Sequence, residues 1–386
     1  MTTSRDIQVE QARINATIAA DLNDLAGQAA WRTRWEALKD TPTTSEDAKP
    51  LLPQHIFVCV HGIYGKPSDS EHIANALKHT FGPAAMVVQS SANTHKTHTG
   101  VRQMGTNLAI ELLDILKDHR TQDNHKLTIV GHSLGGIIGR YALIYLQHAL
   151  QELQITPMTF ATLCTPHLGS RRPGGHLFKE MWKIVVHSIM SISVIYGQTG
   201  MDLLLEDDVD APLLQAMSLP DSAFMAALGG FQHRTAIAMI QGDHIVPYAS
   251  AAIHPRVLEP AFIKPSDGPW QWTLSYSGFD HTSAFGSFLA ATYPEDANDD
   301  PLDVFGSASV DERHEVAIPP GVLEGLCSMS WRRLNLFVSY GGLFQFFWLS
   351  FHTWPLGIGL PKSSRSREFI DVLVRMLVDD HDFQAT

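Results

Sequence analysis

The stretch LTIVGHSLGGIIGRYALIYL, residues 127–146, joins an apolar run to a long helical pattern through a glycine-rich turn. The run Leu127–Val130 predicts a buried strand, and the pattern Leu134–Gln151 predicts an amphipathic helix. Between them, residues 131–135 read GHSLG, which matches the motif G-x-S-x-G. Five letters carry little information, but a strand before them and a helix after them form the setting in which this motif exposes a nucleophilic serine.

Ser133 is therefore the candidate nucleophile. A serine on such a sharp, strained turn needs neighbours without side chains that would clash, and Gly131 and Gly135 meet that need. The helix that follows directs its first N–H groups at the negative charge that develops on a substrate oxygen. The N–H of Leu134 is then one predicted donor to that oxygen. The alternative interpretation is that Ser133 only caps the helix.

Short apolar runs alternate with helical patterns on both sides of this stretch. Such runs, separated by helices, are typical of a mostly parallel sheet that is covered on both faces. The predicted strands are His55–Val60, Met86–Gln89, Leu127–Val130, Met158–Leu163, Thr235–Ile240 and Leu334–Ser339. The predicted helices include Glu71–Thr80, Val101–His119, Leu134–Gln151 and a closing helix, Ser366–Val378. The sequence therefore predicts an α/β fold.

A second donor for a substrate oxygen is expected in the loop after an earlier strand of such a sheet. The strand His55–Val60 runs into HGIYG, residues 61–65, so the backbone N–H of Ile63 is the candidate. The alternative is that HGIYG is only a flexible turn. Its position before the nucleophile in strand order favours the oxyanion-hole interpretation.

The acid that orients the catalytic base should follow the serine, in a loop at the carboxyl end of a later strand. The strand Thr235–Ile240 leads into QGDHIVP, which puts Asp243 just past a strand end. Aspartate beside glycine is also common in turns. Asp280, in GFDHTSAF, is the rival candidate.

The base should be a histidine beyond the last strand, and position must select it among twenty histidines. His352 follows the strand Leu334–Ser339 and precedes the closing helix. The rivals are His244, His254 and His281. Ser133, Asp243 and His352 in this chain order predict the α/β-hydrolase fold and a catalytic triad.

The composition excludes several other classes of protein. The 386-residue chain has a formal net charge of −12 and no basic stripe, so nucleic acid is not an expected partner. Three scattered cysteines, at 59, 164 and 327, predict neither a disulfide framework nor a metal site, and His95 and His98 lack a third ligand. No cofactor motif is present, so neither cofactor nor metal is expected. The amino terminus lacks the pattern of a secretory signal, and no apolar stretch reaches the length of a membrane-spanning helix.

The chain divides into a helical amino-terminal extension with a linker, residues 1–50, and a hydrolase domain, residues 51–386. Two long insertions are expected in that domain. The first, 170–230, contains the apolar run Ile184–Tyr196, which fits either a lid over the serine or buried core. The second, 250–330, is rich in proline and charge and is expected to be a long surface excursion.

Several blocks in register resemble a family of serine esterases that includes fungal lipid-droplet phospholipases and many plant lipase-like proteins. They are FVCVHGIYG, TGVRQMGTNLAIELLDIL, GHSLGGIIGRYAL, TFATLCTPHLGS, TGMDLLLEDDVDAPLL and HRTAIAMIQGDHIVPYASAAI, with a looser match over WRRLNLFVS and FHTWPLGI. The resemblance implies that Ser133, Asp243 and His352 form the triad and that the substrates are lipid acyl esters. The chain departs from the family at GGLFQFFWLSF, before His352, and in the amino-terminal helix.

Together these features predict a serine hydrolase that cleaves acyl esters, such as a lipase, phospholipase or carboxylesterase. It would work inside the cell, in the cytoplasm or at the surface of a membrane or lipid droplet, with peripheral contact to lipid. Acyl transfer to an alcohol by the same triad is one alternative. A catalytically silent lipid-binding or scaffold protein with the same fold is another.

Overall fold

The computed structural model of this chain describes residues 50–119, 124–170, 196–209, 211–240, 245–254, 271–293, 321–339, 351–358 and 365–384, with the single residues Ala29, Thr33 and Asp243. Nearly all of the expected amino-terminal extension lies outside these residues, so its helix stays a prediction. The run Ile184–Tyr196 also lies outside them, apart from Tyr196. The choice between lid and core for this run therefore stays open.

A seven-stranded sheet organises the described residues, in the order β2-β1-β3-β4-β5-β7-β6. Every neighbouring pair is parallel except β6 and β7, which are antiparallel. The strands are β1 His55–Val60, β2 Ala85–Gln89, β3 His125–His132, β4 Ile155–Leu163, β5 His233–Met239, β6 Gln271–Ser277 and β7 Arg332–Ser339. The six strands predicted from sequence are all confirmed, and the chain has the α/β-hydrolase fold.

Strand β6 was not predicted, and it lies within the range expected to form a long surface excursion. It pairs with β7 along its full length, and Leu274 and Tyr276 on it are buried. The helix that follows buries Phe285 and Leu289 in the same core. Residues 271–293 thus contribute a strand to the sheet and a helix to its cover, while the expected bounds of the insertion, 250–330, stay a prediction.

The two faces of the sheet are covered by different helices. The helices are α1 Glu71–Phe81, α2 Val101–Lys117, α3 Leu134–Glu152, α4 Gly197–Leu204, α5 Leu213–Ala216, α6 Ala223–Gly229, α7 Tyr248–Ala252, α8 Ala284–Thr292, α9 Val322–Cys327 and α10 Ser366–Asp380. None of the helices in the described part of the chain has both the length and the apolar character needed to span a membrane.

Strand β1 illustrates how the sequence covers both faces. Ile56, Val58 and Val60 belong to the core that includes α2 and α3, while Phe57 and Cys59 belong to the core of α1 and α10. Side chains alternate between the faces of a strand, so a strand buried on both faces is apolar at most of its positions. This explains the continuous run IFVCV. The parallel strands β1, β3, β5 and β7 also bring their carboxyl ends to one edge of the sheet.

Candidate active site

Ser133 lies between the last residue of β3 and the first residue of α3. Its backbone has φ 54° and ψ −128°, a conformation that L-residues rarely adopt. The amide of Ser133 donates a hydrogen bond of 2.8 Å to the carbonyl of Leu163 at the end of β4. The turn is therefore held by the neighbouring strand in a strained geometry of the kind found at functional sites.

The glycines around Ser133 allow three backbone segments to meet. A Cβ on Gly135 would lie 2.2 Å from the carbonyl oxygen of Val60, and one on Gly131 would lie 2.5 Å from the backbone of Gly136. A Cβ on Gly62 would lie 2.8 Å from the Cβ of Ser133. Side chains at these positions would push the segments apart. The sequence predicts this role for Gly131 and Gly135, and the structure adds Gly62.

His352 and Asp243 form a buried pair on the same edge of the sheet. The Nδ1 of His352 lies 2.7 Å from Oδ2 of Asp243, and both side chains are almost fully buried. Because a carboxylate only accepts, Nδ1 carries the proton and Nε2 of the neutral ring offers a lone pair. Within the described residues this buried Nε2 has no hydrogen-bond partner. It is therefore free to accept a proton.

The carboxylate of Asp243 is held by its own loop. The amides of Ile245 and Val246 both donate to Oδ1 at 2.9 Å. Burial acts to raise the pKa of Asp243, but the charge of His352 and these hydrogen bonds outweigh it and hold the pKa below its ordinary value. Asp243 is thus kept as a carboxylate that can stabilise a positive imidazole.

His132 links the serine turn to His352, the candidate base. Its Nε2 donates a hydrogen bond of 2.9 Å to the carbonyl oxygen of His352, and the two ring centroids lie 4.9 Å apart. Burial, with the charge that His352 carries when it is protonated, lowers the pKa of His132 to about 3, so the His132 ring stays neutral. The residue before Ser133 therefore fixes the backbone of His352. Sequence reasoning missed His132 because the motif leaves that position unspecified.

The two predicted oxyanion donors lie on the segments that meet at Ser133. Leu134 is the first residue of α3, where the backbone N–H groups have no partners within the helix. Ile63 follows Gly62, the residue in contact with Ser133. That the amides of Ile63 and Leu134 stabilise an oxyanion stays a proposal.

The rival acid and bases lie elsewhere. Asp280 is exposed, and its Oδ1 accepts hydrogen bonds from the amide and hydroxyl of Thr282. His281 is exposed in the same turn. The ring of His254 lies against Tyr248, and His244 lies outside the described residues. Among these candidates, the contacts of the described residues favour Asp243 and His352.

Cys164 lies next to Asp243 and His352, the candidate acid and base. One ligand atom each of Cys164, Asp243 and His352 lie within 4.8 Å of one another, and such a set of donors could bind a divalent ion. However, the carboxylate and the imidazole already pair with each other. Burial, with the charge of Asp243, raises the pKa of the Cys164 thiol well above its ordinary value, which disfavours the thiolate that binds metals. The arrangement fits an acid–base pair better than a metal site.

A comparison with protein families matches residues 52–253, just over half of the chain, to the family described as "Putative serine esterase (DUF676)". The chain belongs to this family. The match includes the serine turn, the HGIYG loop and Asp243. His352 lies beyond it, so the placement of the base rests on the geometry described above.

Curated relatives of this serine esterase family member are named as lipases. The chain is 32% identical over 214 residues to "Putative lipase ROG1" of Saccharomyces cerevisiae, a match covering 53% of this chain and 29% of that protein. It is 30% identical over 264 residues to "Putative lipase C4A8.10" of Schizosaccharomyces pombe, a match covering 64% of this chain and 32% of that protein. The chain thus spans about a third of the length of these relatives.

Among solved structures, the chain is similar to the mature form of the Bacillus licheniformis lipase BlEst2. The identity is 18%, the TM-score is 0.32, and the match covers 52% of this chain and 69% of that one.

Proposed function

We propose that this chain is a serine hydrolase that cleaves acyl esters, with Ser133 as nucleophile, His352 as general base and Asp243 as the orienting acid. The observation that carries the proposal is the 2.7 Å pair between His352 and Asp243, which His132 connects to the strained turn of Ser133. A strained serine, an imidazole with a free lone pair and a buried carboxylate are the parts that nucleophilic acyl transfer requires.

In the first half of the reaction, the Oγ of Ser133 attacks the ester carbonyl carbon while its proton passes to Nε2 of His352. The carbonyl oxygen becomes an oxyanion, which the N–H groups of Ile63 and Leu134 stabilise. When the tetrahedral intermediate collapses, the bond to the leaving alcohol breaks and His352 returns the proton to the alcohol oxygen. The acyl group is then esterified to Ser133.

In the second half, a water molecule attacks the acyl-enzyme carbonyl and gives a proton to His352. The bond between the acyl carbon and the Oγ of Ser133 breaks, and the proton on His352 returns to the serine. Asp243 stabilises the imidazolium in both halves and keeps the ring oriented. The products are a carboxylic acid and free enzyme.

Lipid esters are the substrate class that we propose. The names of the curated relatives support this class, and so do two exposed apolar side chains near the site. Tyr64, which follows the predicted oxyanion donor, is 60% exposed, and Ile245, two residues after Asp243, is 37% exposed. Apolar groups at the mouth of a site favour contact with acyl chains. A location in the cytoplasm or at a lipid surface stays a prediction.

The decisive experiment is covalent labelling with a fluorophosphonate, followed by peptide mapping. We expect one adduct on Ser133, and we expect Ser133→Ala to abolish both the adduct and the hydrolysis of short p-nitrophenyl esters while keeping the fold. An adduct at another residue, or turnover near that of the wild type in Ser133→Ala, would reject the proposal. No adduct on folded wild-type protein would favour a silent lipid-binding protein. Product analysis with and without an added alcohol separates hydrolysis from acyl transfer.

A further inference from the structure

The loop that carries the predicted donor Ile63 contains a strained turn. Residues 62–65 form a turn closed by a hydrogen bond of 3.0 Å from the amide of Gly65 to the carbonyl of Gly62. Its third residue, Tyr64, has φ 53°, in the left-handed region where glycine or asparagine is normally found. A tyrosine holds this conformation only if surrounding contacts impose it.

Thr97 supplies such a contact. Its buried hydroxyl accepts a hydrogen bond of 2.9 Å from the amide of Tyr64. The amides of Tyr64 and Gly65 are thereby both used within the protein, and Ile63 carries the neighbouring amide that is predicted to face the substrate. The hydrogen bond that Thr97 accepts thus holds the peptide unit between Ile63 and Tyr64, directly after the amide of the predicted oxyanion donor.

Helix α4 holds Thr97 in turn. The hydroxyl of Thr199 donates to the carbonyl of Thr97 at 2.9 Å and accepts from the amide of Gly100 at 3.0 Å. Oδ2 of Asp202 accepts from the amide of Val101 at 2.6 Å. The three polar side chains of this network, those of Thr97, Thr199 and Asp202, are buried.

Close packing supports the same connection. A Cβ on Gly197 would lie 2.3 Å from the carbonyl oxygen of His98, so α4 and the loop before α2 can only approach this closely with glycine there. The rings of Tyr196, just before α4, and Tyr64 lie 5.7 Å apart. Hydrogen bonds and ring contact therefore join α4 to the turn around Ile63.

We propose that Thr97 is a positioning residue for the oxyanion hole: it holds Tyr64 in its strained conformation, fixes the Ile63 amide, and is itself fixed by Thr199. This inference rests on the proposed function. A donor stabilises an oxyanion only if it already points at the place where the charge develops, so a loosened turn weakens the transition state more than the bound substrate.

The test compares Thr97→Val with Thr97→Ser, using p-nitrophenyl butyrate as substrate and a trifluoromethyl ketone as inhibitor. Valine keeps the shape of threonine but cannot accept a hydrogen bond, whereas serine keeps the acceptor. We expect Thr97→Val to lower kcat about 10- to 100-fold and to change KM by no more than about 2-fold. The loss in kcat should not exceed the loss that follows when an oxyanion donor is removed altogether. Affinity for the ketone, whose adduct carries an oxyanion, falls by a similar factor. Thr97→Ser retains most of both.

All rates are expressed per active site, counted by fluorophosphonate labelling, so that loss of folded protein does not affect them. If Thr97→Val lowers yield or Tm but keeps kcat and ketone affinity per site, Thr97 is only structural and the inference is overturned. If Thr97→Val does not fold, Thr199→Val replaces it, and an unchanged kcat per site there likewise overturns the inference. If wild-type Ser133 is not labelled at all, the proposed function itself fails, and the inference with it.

Discussion

The Nε2 of His132 donates a hydrogen bond of 2.9 Å to the carbonyl oxygen of His352, across 220 residues of chain. His132 precedes the candidate nucleophile, and His352 is the candidate base. The aspartate orients the ring of His352, whereas His132 fixes its backbone. The candidate base is therefore held from two sides, while its ring Nε2 has no hydrogen-bond partner among the described residues.

Replacing His132 tests this second support. We expect His132→Phe to lower kcat/KM about 10-fold, because the buried carbonyl of His352 loses its donor, while Ser133 still reacts with a fluorophosphonate, more slowly. His132→Gln is the matched control, since its amide N–H can reach the same carbonyl, and it should recover most of the loss. Equal activity of the Phe variant and the wild type, measured per labelled site, would contradict this role.

The strained backbone of Ser133 predicts that glycine at this position gives a more stable protein than alanine does. Glycine adopts φ 54° at little cost, whereas alanine keeps the strain of an L-residue. We expect Ser133→Gly to be more stable than Ser133→Ala by about 1 kcal/mol, the relief of strain being partly offset by the greater entropy of glycine in the unfolded chain. Urea unfolding of both variants measures the difference. Equal midpoints and slopes would mean that the turn is not strained in solution.

The orienting acid can be tested without disturbing its loop. In Asp243→Asn, the amide oxygen can still accept from Ile245 and Val246, but its NH2 group would face Nδ1 of His352 and favour the wrong tautomer. We expect kcat/KM to fall by about 1,000-fold or more with little loss of stability. Asp280→Asn is the control and should stay within about 2-fold of the wild type, because Asp280 is exposed. The reverse order of effects would show that the acid has been misassigned.

The sequence was sufficient for the fold where local pattern and tertiary structure agree. Strand β1 was predicted with the bounds that the structure has, because burial on both faces produces the continuous apolar run IFVCV and a glycine-containing segment, HGIYG, follows it. Strand β6, QWTLSYS, alternates apolar and polar residues as a half-buried edge strand does, so the continuous apolar runs that indicate the inner strands do not identify it. Its pairing with β7 is a long-range contact that the local pattern does not reveal.

Some residues of the candidate site could be predicted from the sequence and others could not. Ser133, Asp243 and His352 could be proposed because the fold fixes the order of strand ends that carry them. The residues that hold these three and the Ile63 turn in place could not be proposed from the sequence. His132 and Thr97 act through hydrogen bonds to the backbones of His352 and Tyr64, and nothing in a single sequence indicates which carbonyl or amide a distant side chain will reach.

A pair of buried histidines at the opposite end of the sheet predicts how stability depends on pH. The Nδ1 atoms of His55 and His381 lie 2.8 Å apart, so one ring donates and the other accepts. Nε2 of His381 also lies 2.7 Å from the hydroxyl of Thr128, and its ring stacks on Phe57. Burial, with the charge of Lys126, lowers the pKa of His55 to about 4. Burial, with the charge of His55, lowers the pKa of His381 to about 3.

Because both pKa values are lowered, the folded protein resists protonation that the unfolded chain accepts near pH 6.5. The unfolded state then binds more protons, so stability is fully present above pH 6.5 and falls as the pH drops towards about 4, by up to about 1.4 kcal/mol per pH unit for each histidine. We expect His55→Phe to be less stable than the wild type at neutral pH, because it loses the hydrogen bond to His381. Its free energy of unfolding should nevertheless fall less steeply as the pH is lowered. Urea unfolding at successive pH values measures both effects. His79→Gln is the control, since His79 is exposed on α1 and its replacement should leave the slope unchanged. A slope in His55→Phe as steep as that of the wild type would mean that carboxylates, and not this histidine pair, govern acid unfolding.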